Sequence, residues 1–168
     1  MNERVLRKLL EDKGFLDERI SFYIEKGLIL SKDSKEEIKG HLKKARHNLD
    51  FIGEISYNFN DWILVACFYT AYHAALALIL SKGYSSKNHD ATLCILIKEF
   101  YQNGLSKEDI ELINKLDKQD FLFYVETKQK REEASYPTKT SFNLSDVKNI
   151  KAKTRLFINK TERIIKEK

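Results

Sequence analysis

The chain is 168 residues long, 42% hydrophobic and 33% charged, with one proline and six glycines. That is the length of one domain with a core of its own, and too few turn residues for a sandwich or barrel that must reverse about every ten residues. The formal charge is +5, but 30 basic residues are interspersed with 25 acidic ones, which argues against a single dominant nucleic-acid face.

Residues 1–31 read as a helical extension: a short helix, a break near Gly14, and a second helix carrying Phe15, Ile20, Phe22, Tyr23, Leu28 and Ile29. Ser34-Lys-Glu-Glu37 has the spacing of a capping box. Behind it Ile38, Leu42, Ala45, Leu49, Ile52 and Phe59 form one apolar stripe, with Lys39, Lys43, Lys44 and Arg46 off it.

The run from Trp62 to Leu80 organises the rest, since only Thr70 and His73 in it are clearly polar. Such a segment either spans a bilayer or lies at the centre of a globule. Flanking amphipathic helices, the lack of a second apolar run, an Asn60-Asp61 cap and the stop at Gly83 predict a central helix with neighbours all round. A turn over Lys82–Asn88 leads to a helix from about His89 to Tyr101. Ser106-Lys-Glu-Asp109 opens another, expected to reach about Lys130 through Ile110, Ile113, Leu116 and the Phe121–Val125 cluster. Asn143 and Asp146 open the last, with Val147, Ile150, Thr154, Phe157, Ile158, Thr161 and Ile165 on one stripe. The expected architecture is all-α: an up-and-down bundle of four to five helices over 34–168, with the extension packed on it as a single domain. No signal peptide is expected, and the predicted location is the cytoplasm.

Metal chemistry lacks its usual spacings, because no Cys-x-x-Cys, His-x-x-x-His or Glu-x-x-His pair occurs, and His41 and His47 fall on different helix faces. No metal or cofactor is expected, and no glycine-rich phosphate loop is present. Cys67 and Cys94 read as small buried hydrophobes in a reducing compartment. His73 is expected to be a satisfied core histidine with Tyr69, one turn earlier, as its hydrogen-bond neighbour. Arg131, in Arg131-Glu-Glu-Ala-Ser-Tyr-Pro137, either caps a helix C-terminus or presents a fork to phosphate.

Ala66-Cys-Phe-Tyr-Thr-Ala-Tyr-His-Ala-Ala-Leu-Ala-Leu-Ile-Leu-Ser-Lys-Gly83, Ser85-Ser-Lys-Asn-His89 and Arg131-Glu-Glu-Ala-Ser-Tyr136, in that order, resemble the HEPN domain. The nearest kind is the small stand-alone prokaryotic HEPN protein of an uncharacterised family, and Arg19-Ile-Ser-Phe-Tyr-Ile-Glu-Lys-Gly-Leu-Ile29 extends the resemblance over most of the chain. It implies a helical bundle, often a homodimer, often paired with a minimal nucleotidyltransferase, and in many members a metal-independent ribonuclease. That motif is an arginine, then four to six intervening residues, then a histidine: a cation for the pentacoordinate phosphate and a base for the 2′-hydroxyl. Here Arg131 matches, but the histidine window holds Tyr136, Pro137 and Thr138, and tyrosine, with a pKa of about 10, is a poor base at neutral pH.

The residues therefore predict first a binding or interaction module for a nucleotide, an RNA backbone or a nucleotidyltransferase, without efficient catalysis. Arg131 would hold phosphate and Tyr136 would donate, stack or accept a modification; His73 and Tyr69 complete the candidate site. Lys43, Lys44, Arg46 and Lys128–Arg131 would form the phosphate-contacting face. The alternative is a metal-independent endoribonuclease of toxin–antitoxin type that uses Arg131 with a histidine from elsewhere, His73 or His89. A third expectation is a structural adaptor in which Arg131 only caps its helix.

Overall fold

The computed structural model describes residues 1–116 and 142–167. Expectations for the Phe121–Val125 cluster and for Arg131, Tyr136 and Pro137 lie outside the described residues. Seven α-helices and one short two-stranded ribbon make up the described chain: α1 (Glu3–Glu11), α2 (Lys13–Glu25), β1 (Ile29–Ser31), α3 (Lys35–Glu54), α4 (Asn60–Leu80), β2 (Tyr84–Ser86), α5 (His89–Phe100), α6 (107–116 as described) and α7 (Leu144–Lys166).

Local chemistry sets most of the boundaries. The break in the extension falls at Asp12 and not at Gly14: Asp12 ends α1 and its carboxylate accepts the Phe15 amide to start α2. One residue thus serves as C-cap and N-cap, and Gly14 is left inside the first turn. Ser34 accepts the Glu37 amide at 3.2 Å, as its spacing predicts, while the Glu37 carboxylate goes to Lys32 at 2.6 Å. The second capping box closes both ways, for Asp109 accepts the Ser106 amide and hydroxyl and Ser106 accepts the Asp109 amide. Asn143 accepts from Ser145 and Asp146 and opens α7.

Two expectations are corrected. The stripe of α3 does not reach Phe59, because the helix stops at Glu54 and Tyr57–Phe59 forms a separate 3₁₀ turn that leaves Phe59 exposed. Residues 28–31 are not helical: Gly27, at φ +65°, ends α2, and Ile29, Leu30 and Ser31 pair antiparallel with Ser86, Ser85 and Tyr84. Three-residue strands carry no readable alternation, so nothing in the sequence announced this ribbon.

The helices α3, α4, α6 and α7 alternate in direction. Early α3 meets late α4 through His41 and His73, and the starts of α4 and α7 meet through Asn60 and Phe142. The start of α6 lies on late α7, where Asp109 pairs with Lys160. The helix α4 is the hub, packing most heavily on α3 and α7, then on α5. The extension packs on α5 and joins the bundle edge through the ribbon. By length and hydropathy Tyr57–Leu80 could cross a bilayer, but its Ile63, Cys67, Ala71, Ala74 and Leu78 are all within the core.

Candidate functional site

Asn60 shows how the sequence positions α4. It does not act as the expected side-chain cap; its amide instead makes two 3.1 Å hydrogen bonds with the backbone of Phe142, donating to the carbonyl and accepting from the N–H. That clamp sets α7 against the start of α4. A second clamp ties α3 to α7. Arg46 Nε donates to Glu162 at 2.6 Å and its Nη2 donates to Asn159 at 2.9 Å. Arg46 is therefore a structural cation, and the expected phosphate face keeps only Lys43 and Lys44 of α3 exposed.

With α4 so held, one strip of it stays open. Trp62 is 58% and Tyr69 46% exposed, and Val65, Tyr72, His73 and Leu76 are partly exposed. These positions recur every three or four residues and so share one side of the helix. Among the described residues, the neighbours predicted all round α4 leave this strip partly open. Beside it, Tyr72 stacks on His89 with ring centroids 4.1 Å apart, and Phe68 lies against both rings.

His73 lies on this strip, and its hydrogen-bond partner is His41 on α3, not Tyr69. The two Nδ1 atoms are 2.9 Å apart, with ring centroids at 5.1 Å and planes tilted by 35°. Tyr69 instead packs edge-on against Phe68. Burial, above all, pushes both histidines below their ordinary pKa. His41 and Lys44 lower His73 further; for His41, Glu37 partly opposes the burial and Lys32 adds to it. Both shifts favour the neutral ring, the form that can accept a proton.

The sequence missed His41 for a physical reason. Its distance along the chain from His47 says nothing about a neighbour 32 residues away across a helix pair, and the only available signal was a histidine on the flank of the α3 stripe. His47 itself is exposed. Cys67 is no nucleophile: burial pushes its thiol up to about 11, and that of Cys94 to about 12. Among the described residues no group of three metal-ligating side chains converges.

A cleft of about 700 Å³ lies elsewhere, between α1 and α6, where Arg4, Arg7, Lys107 and Lys115 alternate with Glu3 and Glu111. Among the described residues it shares none with the histidine pair and contains no histidine. The chemistry points to the pair and its lysines.

No protein-family model matches the chain. Over 133 residues, 78% of this chain and 83% of the relative, it is 26% identical to the protein named Putative toxin MJ0142 of Methanocaldococcus jannaschii, a distant homologue.

Proposed function

We propose that the protein is a toxin of toxin–antitoxin type that acts as a metal-independent endoribonuclease. The observation that carries this reading is the half-buried histidine pair, joined Nδ1 to Nδ1, on a helical bundle whose distant homologue bears the name of a toxin. The resemblance of Ala66–Gly83 and Arg131–Tyr136 to HEPN proteins supplies the reaction: attack by the ribose 2′-hydroxyl on the neighbouring phosphorus. That reaction needs a base, a cation and no metal. His73 supplies the base that Tyr136 cannot, and Arg131 holds phosphate. A minimal nucleotidyltransferase is the proposed partner that restrains the toxin, and the working unit is proposed to be a homodimer.

The test is incubation of the purified protein with mixed RNA in EDTA, beside Arg131→Ala. Cleavage by the wild type alone is expected. A folded wild type that leaves RNA intact would overturn the enzyme reading. It would favour the binding module, for which the presence of Tyr136 in the histidine window is the specific support. On that reading Arg131 and Tyr136 hold a nucleotide or a partner.

A further inference from the structure

The hydrogen bond between His41 and His73 joins like atoms, Nδ1 to Nδ1, at 2.9 Å. A neutral imidazole carries one N–H, so this bond forces the two rings into opposite tautomers. One ring donates from Nδ1 and has a bare Nε2. The other accepts at Nδ1 and has its proton on Nε2. Whichever ring donates, the pair has one base and one acid at its outer nitrogens.

We propose that His41 and His73 are a linked acid–base dyad for RNA phosphodiester cleavage, in which one imidazole takes the 2′-hydroxyl proton and the other protonates the leaving 5′-oxygen. This rests on the ribonuclease reading above and names both ends of its proton transfer. The bare Nε2 removes the proton from the 2′-hydroxyl as the 2′-oxygen bonds to phosphorus and the P–O5′ bond breaks. The same ring passes its Nδ1 proton to the partner's Nδ1, and the partner releases its Nε2 proton to O5′. One proton enters and one leaves. Both rings finish neutral with their tautomers exchanged, and the products are a 2′,3′-cyclic phosphate and a 5′-hydroxyl.

Three further observations favour this use. The rings come from two helices that pack extensively on each other, so their mutual geometry is fixed before substrate arrives. Both histidines are only partly buried, so the pair is not sealed inside the core. Lys44, one turn beyond His41 and exposed, stands close enough to lower the His73 pKa, and so can meet a phosphate that the dyad engages.

The experiment compares the full-length wild type with His41→Gln and His73→Gln on a labelled RNA in EDTA, with product ends mapped and melting temperatures recorded. Each variant is expected to lose about 100-fold or more in rate, the ordinary share of one general acid or base. In parallel, ¹⁵N spectra of the wild type without RNA should show one histidine protonated at Nδ1 and the other at Nε2. Cleavage by the wild type with either variant within about threefold of it overturns the dyad and leaves the ribonuclease reading standing. Two rings with the same tautomer overturn the dyad even if a variant fails to fold. Opposite tautomers without cleavage by the wild type overturn the ribonuclease reading, and the dyad's role with it.

Discussion

A histidine whose folded pKa lies below its unfolded value, about 6.5, makes stability depend on pH in a fixed sense. Above that value both His41 and His73 are neutral folded or unfolded, and their contribution is fully present. As pH falls below it the unfolded chain takes up protons first, so stability declines until the lowered folded values are passed. Glu37, Lys32 and Lys44 are the charged groups facing the pair, and Glu37 alone moderates the decline. Urea midpoints should therefore be lower at pH 5 than at pH 7.5, and His73→Gln should flatten the difference. Equal midpoints for the wild type at the two pH values would refute the neutral pair. The same argument places the cysteines outside the chemistry: thiols pushed up to about 11 and about 12 are not thiolates at neutral pH, so alkylation of the folded protein should leave activity intact.

Elements are positioned here by a few polar clamps on an apolar interior. Asn60 is nearly buried, and replacing it with alanine strands the Phe142 backbone groups, which should cost about 1–3 kcal/mol in denaturant unfolding. Arg46→Ala removes the α3–α7 clamp. Both partners are partly exposed, so the expected loss is smaller, about 1 kcal/mol, and a double-mutant cycle with Glu162→Gln would isolate the coupling. Glu162 is held below the ordinary carboxylate range mainly by its hydrogen bond from Arg46. That contribution is present above the unfolded carboxylate pKa, about 4.3, and fades as pH drops through the lower folded value. No change in stability with Arg46→Ala would show that the contact forms without holding the helices. The open strip of α4 belongs to this scale too: Trp62 and Tyr69 remain exposed on the helix that is otherwise the most buried of the described chain.

For the whole molecule, a net charge of +5 spread over mixed signs gives no large uniform field. RNA affinity should then depend on a few local lysines. If the polynucleotide passes the histidine pair, affinity falls as salt rises, and Lys43→Ala with Lys44→Ala reduces the slope of log affinity against log salt by about 0.7 per lost phosphate contact. An unchanged slope would place the RNA track on another face, with the Arg4, Arg7, Lys107 and Lys115 cleft the next to test.

Sequence alone determined the helices and their faces. The Ser34, Ser106 and Asn143 caps and the stripes of α3 and α7 are local patterns, set within one or two turns by hydrogen-bonding side chains and by a 3.6-residue period. The all-helical class follows from them, as does the burial of most of the α4 run. Tertiary structure decided what spans distant parts of the chain. The β1–β2 ribbon joins residues more than fifty apart, Arg46 turns from surface cation to clamp, Asn60 leaves its own helix start for Phe142, and His41 finds His73. Each of these contacts depends on how two elements dock, and a periodic pattern encodes which side of a helix is apolar but not which polar residue on its flank will meet which partner. The candidate base of the site was legible as an isolated histidine in an apolar run. Its partner became visible only when the two helices were set side by side.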